Sequence, residues 1–244
     1  KKIFQCFSKC LASNKETFQY LKYFKLKNIK LIGNLKFSEN ERKKILVPKK
    51  IKNFFLTKIF WCAGSTHRGE ELQCLNTHIE LKKKYKNLVT IIIPRHINRK
   101  TEIINLLKEK KINFHCHSWK NNISNNAEIY LVDTYGESTL FYKLCKIVFM
   151  GGSLVNHGGQ NPLEASRLGC KIVHGPNTNN FKDIYKLLNR IKISHKVNNN
   201  KDLTENIKIN IKTKTKSNLI IKKIEKMGVR IKRLTLNEIK QTIN

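Results

Sequence analysis

The residues of this chain best equipped for chemistry fall in four short stretches. They are "AGSTHRGEE" (63–71), "IIIPRHINR" (91–99), "DTYGES" (133–138) and "GGSLVNHGGQNPLEAS" (151–166). Arg95 follows Pro94, whose ring fixes the local backbone. A guanidinium so placed can hold a phosphate through two hydrogen bonds, and the plain alternative is a surface arginine. Ser65 and Thr66 offer hydroxyls and main-chain N–H groups at a helix start, where an anion is favoured and where an ordinary N-cap would look the same. Tyr135 and Gly136 begin another helix, and Glu137 beside them either serves the same edge or simply complements the helix dipole. Gly151 and Gly152 let backbone approach a ligand closely, and Gly158 and Gly159 form a flexible loop. Asn161 suits an N-cap and Pro162 a first turn. Glu164 then stands one turn in, where a carboxylate can accept two hydrogen bonds from a ribose diol. The expectation is that a nucleotide-sugar sits against this glycine-rich backbone.

Each stretch follows an apolar run. Strands are expected at 58–64, 88–94, 113–118, 128–134, 146–152 and 171–176. Helices are expected at 67–85, 100–111, 136–145, 161–169 and 179–190. Continuous apolar strands alternating with helices predict an α/β fold, a doubly wound parallel Rossmann-like sheet covered on both faces. In such sheets ligands bind at the carboxyl ends of the strands, near the switch in strand order. The four stretches would converge there. Residues 1–37 read as a separate piece, a helix in "CLASNKETFQYLKYFKLKN" and a strand ending in a turn in "IKLIGNLKF". Asn-rich 195–210 reads as a poorly packed surface region, and 216–244 as a basic amphipathic helix or pair of helices interrupted at Gly228.

The 244 residues, 40% of them apolar, can supply a real core. No run of about 18 apolar residues appears, so no membrane-spanning helix is expected, and no signal peptide is visible. The chain begins at Lys1, which suggests a piece of something longer. Its net charge of +32 invites a nucleic-acid or anionic-membrane reading. The lysines are scattered, though, and accompany abundant Ile and Asn, the signature of an AT-rich coding sequence. No specific nucleic acid is expected, whereas attraction to acidic lipid surfaces follows in either case. Seven cysteines, an odd number with no C-x-x-C pair, argue for a reducing compartment and against a disulfide framework or zinc site.

The blocks "GNLKF", "AGSTHRGEE", "PRHINR", "DTYGE", "GGSLVNHGGQNPLEA" and "GPNTNNF" resemble, in order and spacing, the 3-deoxy-D-manno-octulosonic acid (Kdo) transferases of bacterial lipopolysaccharide synthesis. The resemblance covers roughly residues 8–190. It implies a GT-B fold of two Rossmann-like domains and transfer of Kdo from CMP-Kdo to a lipid A precursor, with inversion and without a metal or other cofactor. Matched by position, it implies CMP contacts at Pro94, Arg95, Tyr135, Gly136, Glu137, Asn161, Pro162, Leu163 and Glu164, with Glu164 on the ribose. Ser65, Thr66 and Gly152 become candidates for the donor phosphate or the Kdo carboxylate. Gln160 stands where many members have His, and Tyr135 where a smaller or thioether residue is common.

Domain boundaries follow: 1–37 as a remnant of an N-terminal acceptor domain, 38–215 as the C-terminal nucleotide-sugar-binding domain, and 216–244 as a basic helical segment. Nothing matches the family's catalytic carboxylate, so the general base is expected outside this chain, in the N-terminal acceptor domain that would be its partner. The resemblance also implies the bacterial cytoplasm and the cytoplasmic face of the inner membrane. The alternatives are another GT-B glycosyltransferase or sugar epimerase using a different nucleotide, and a non-enzymatic basic module for nucleic acid or anionic lipid.

Overall fold

The structure, a computed structural model, describes residues 3, 6–38, 45–119, 121–212 and 217–243. The chain divides into two compact units, 1–43 with 221–244, and 44–220. In the smaller unit β1 (Cys10–Ala12) pairs in parallel with β2 (Ile29–Leu31), and α1 (Lys15–Tyr23) connects them. Asn14 Oδ1 accepts the N–H of Thr17 at 2.6 Å, so the segment expected to be one helix is a strand, a cap and a shorter helix.

The larger unit opens with α2 (Lys49–Leu56), which the hydrophobic pattern did not single out, and β3 (Ile59–Thr66). There follow α3 (Glu70–Lys84), β4 (Leu88–Pro94), α4 (Lys100–Glu109), β5 (Phe114–Cys116) and β6 (Ile129–Leu131). The rest is α5 (Ser138–Leu144), β7 (Ile147–Met150), α6 (Leu163–Arg167), β8 (Lys171–His174), α7 (Lys182–Arg190), β9 (Ser194–Lys196) and α8 (Asn200–Ile211). Seven strands form one sheet in the order β5-β6-β4-β3-β7-β8-β9, every pair parallel. The chain runs outward from β3 through β4, then returns to place β7 on the other side of β3. That reversal is the switch point, and the loops after β3, β4, β6 and β7 share its edge.

Two expectations need correction. Residues 195–210 are not loosely packed: β9 extends the sheet, and Leu203 and Ile207 of α8 are fully buried against Trp61, Leu81 and Val173. The spacing of Leu203 and Ile207 puts both on one helix face, and Asn200 adds hydrogen bonds to the Gln73 carbonyl and the Thr77 hydroxyl. Nor does Gly228 interrupt the last segment. α9 (Ser217–Ile243) is one continuous helix. A Cβ at Gly228 would lie 2.2 Å from the Phe37 carbonyl oxygen, so the glycine lets the helix pack against the chain after β2. Glu238 of α9 pairs with Lys9 and Lys30 at 2.9 and 2.7 Å, within the smaller unit. The expected 215/216 boundary falls outside the described residues.

Candidate functional site

At the end of β3 the strand bulges, and Ser65 takes a left-handed φ of 54°. Its side chain hydrogen-bonds the buried Tyr142 hydroxyl. Thr66 is fully buried and donates to Glu71 Oε1 at 2.8 Å, while its carbonyl accepts the N–H of Arg95 at 3.0 Å. Glu71 in turn takes a bidentate grip from Arg99, at 2.8 and 3.0 Å, and Arg99 continues to Glu102. Arg99 and Arg68 hold the Glu102 carboxyl down to about 2. This ion chain fixes the loops after β3 and β4 to each other.

Glu70, the first residue of α3, is buried beneath the glycine-rich loop. Its carboxylate accepts the N–H groups of His67 (2.9 Å), Gly152 (2.6 Å), Ser153 (3.0 Å) and Leu154 (3.0 Å). Burial pushes its pKa up, against the pull of those four donors. The glycines serve the same closure. A Cβ on Gly151 would lie 2.3 Å from the Ser65 carbonyl oxygen, and one on Gly175 2.1 Å from that of Ser153. Of the candidates for donor phosphate or carboxylate, the Ser65 and Thr66 hydroxyls and the Gly152 N–H are thus engaged inside the protein. At Gly151 and Gly152 the close approach expected of a ligand is made by the protein's own backbone and by Glu70.

The turn after β6 and the start of α6 are built differently. Pro94 is buried at the end of β4, and Arg95 beyond it is exposed. Tyr135 is 71% exposed, and Gly136 (φ 79°) has open space around its missing side chain. Glu137 accepts from the Thr134 hydroxyl and meets His117 Nε2 at 3.1 Å. His117 is anchored through Nδ1 to the Tyr130 hydroxyl at 2.8 Å. Asn161 Oδ1 accepts the N–H of Leu163 at 3.1 Å and sets the direction of α6, whose Leu163 is buried in the core. Ser138, at the start of α5, donates to Glu164 Oε2 at 3.4 Å. The "DTYGES" and "NPLE" stretches therefore meet at one place, with a carboxylate on each and an exposed aromatic ring beside them.

Sequence reasoning missed His67, Glu70, His117 and Ser138. The pair of acids in "HRGEE" at a helix start was a signal for Glu70. His117 becomes visible only when β5 and β6 pair.

The parallel doubly wound sheet, with its ligand edge at the switch point, places the protein among GT-B glycosyltransferase folds. No protein-family model matches the chain. It is 34% identical over 181 residues to a 3-deoxy-D-manno-octulosonic acid transferase of Haemophilus influenzae, covering 72% of this chain and 42% of that protein. It is 31% identical over 199 residues to the Aquifex aeolicus transferase of the same name, covering 81% of this chain and 52% of that protein. Among solved structures it superposes on the C-terminal CMP-Kdo binding domain of WaaA from Acinetobacter baumannii, with a TM-score of 0.66 and 25% identity over 72% of this chain and 92% of that domain. The chain is a relative of the Kdo transferases, matching their C-terminal part, and it spans about half the length of the curated relatives it matches.

Proposed function

We propose that the larger unit binds CMP-Kdo as the donor module of a glycosyltransferase that passes Kdo to a lipid A precursor. The observation that carries this reading is the meeting of Glu164 with the Tyr135–Ser138 turn on the strand edge. Glu164 receives the ribose hydroxyls, because a carboxylate can accept from both members of a diol. Asn161, Pro162 and Leu163 place Glu164 on α6; Tyr135, Gly136 and Glu137 flank the cytidine; and Arg95, behind Pro94, meets the phosphate.

The chemistry is an inverting displacement at the anomeric carbon. The bond from that carbon to the phosphate oxygen breaks as the acceptor oxygen attacks from the opposite face. Arg95 stabilises the charge that develops on CMP, so no metal or other cofactor is invoked. The general base that deprotonates the acceptor belongs to an N-terminal acceptor domain acting with this one. The basic surface, net +32 overall, supports peripheral association with an anionic inner-membrane face on the cytoplasmic side, where a lipid acceptor would lie. Calorimetry with CMP, UDP and ADP tests the reading. CMP is expected to bind most tightly, and equal affinity for all three would sink the assignment.

A further inference from the structure

Three histidines meet where β3, β4 and β7 end. His67 follows β3, His96 follows Arg95, and His157 lies in the loop after β7. The rings of His67 and His157 are 3.8 Å apart between centroids and tilted by 44°. His96 stands edge-on to His67 at 5.8 Å. His67 is buried, while His96 and His157 are exposed. The amide nitrogen of Gln160 lies 3.0 Å from His67 Nε2. An amide nitrogen can only donate, so that ring nitrogen accepts, and the proton of the neutral ring sits on Nδ1. The contact with Gln160 therefore selects the neutral ring.

The surroundings favour the same state. Besides the two histidines, Arg95 and Arg99 bear on His67, and the carboxylate of Glu70 is committed to main-chain N–H groups, including that of His67. Burial and these cationic neighbours hold the His67 pKa down to about 4. Tilted and edge-on rings do not aim three nitrogens at one centre, and among the described residues no group of three or more His, Cys, Asp or Glu side chains is arranged to hold a metal. Two nearby guanidinium groups also disfavour a cation. An anion has the opposite effect, since it reverses the local field and raises the pKa of every ring it faces.

We infer that His67, His96 and His157, together with Arg95, receive the anionic centre of the donor, a phosphate or a sugar carboxylate, and take up protons from solvent as it binds. The inference rests on the donor reading above. Each proton moves from water or buffer to a ring nitrogen, and no covalent bond in the ligand changes. Because the bound form holds more protons, affinity increases as pH falls, by up to about tenfold per pH unit for each ring that gains a full proton.

Calorimetry of the 244-residue chain at pH 7.5, in two buffers of different ionisation enthalpy, reads the protons exchanged. Net uptake is expected with CMP and none with cytidine, which lacks the phosphate. Uptake with free Kdo would assign the carboxylate as the anion received, and uptake with CMP the phosphate. Absence of both overturns the inference. The exposed rings allow His96→Gln and His157→Gln without disturbing the core, and their combination is expected to remove most of the uptake. Uptake that persists there belongs to the nucleotide's own phosphate and also overturns it. NMR titration of the His67 ring should show its pKa rising when CMP is added; an unchanged value counts against the inference. Binding of CMP that is identical at pH 6 and pH 8 overturns the proton linkage and leaves the donor reading standing. If CMP fails to bind at any pH, the donor reading itself falls.

Discussion

Around the switch between β3 and β7, Glu70 gathers four main-chain N–H groups, Thr66 is spent on Glu71, and Gly151 lies against the backbone of Ser65. Along the turn after β6 and the start of α6, Tyr135 stands 71% exposed, Gly136 has empty space beside it, and Glu164 is half-buried near Ser138. Both regions combine glycine with carboxylate. In the first, those groups are buried beneath the glycine-rich loop; in the second, Tyr135 is exposed, Glu137 is bonded to Thr134 and His117, and Glu164 is only half-buried. Residue type alone does not separate a carboxylate buried under main-chain N–H groups from one half-exposed at the strand edge; burial does.

Substitutions can sharpen that contrast. The largest effect is expected from Glu70→Ala, which strands four buried or partly buried N–H groups. It should destabilise the fold by about 3 kcal/mol or more in urea unfolding, since each buried unsatisfied donor costs roughly 1–3 kcal/mol. A variant as stable as the parent would mean that water replaces the carboxylate and that the loop is not closed by Glu70.

A matched pair of glycine substitutions comes next. Gly151→Ala forces a methyl into the Ser65 carbonyl and should cost about 2 kcal/mol or more. Gly136→Ala meets nothing and should cost only about 1 kcal/mol, the strain of a left-handed backbone. Equal losses of thermal stability would erase the distinction between the two regions.

Binding variants should behave in the opposite sense. Glu164→Gln is expected to weaken CMP by about 1–3 kcal/mol, the range for a lost charged acceptor, with little change in melting temperature. Arg95→Lys keeps the charge yet should lose most CMP affinity, because an ammonium cannot reproduce the two-pronged geometry. If Glu164→Gln unfolds the protein and leaves CMP binding intact, the carboxylate belongs with Glu70 as a structural group.

The smallest effect concerns acid. Glu102 is held down to about 2 by Arg99 and Arg68, below its ordinary value of 4.5. A depressed folded-state pKa contributes stability above pH 4.5 that fades as pH falls toward 2. The melting-temperature gap between the parent and Glu102→Gln should therefore be small at pH 6 and narrow further below pH 4. A gap that widens in acid would show that the ion chain contributes no such linkage.

The alternation of apolar runs such as "LVTIIIP" with amphipathic segments was enough to read the parallel sheet, and the motif spacing was enough to place Arg95, Glu137 and Glu164 after strands. Both are local properties, since periodicity and turn chemistry act over a few residues. The roles of Gly151, Gly152 and Glu70 were not legible, because they depend on loops some 80 residues apart crossing within van der Waals contact. The same holds for α8, whose two core residues are hidden among Asn and Lys until α3 and β3 supply the surface they cover. Gly228 looked like a break because glycine weakens an isolated helix. Only the approach of the Phe37 carbonyl shows that the missing Cβ is what lets that helix pack. The sequence by itself determined which segments form strands and helices and which ends carry polar groups. The tertiary structure decided which of those groups are used up within the protein, because burial and hydrogen-bond saturation are set by partners distant in the chain.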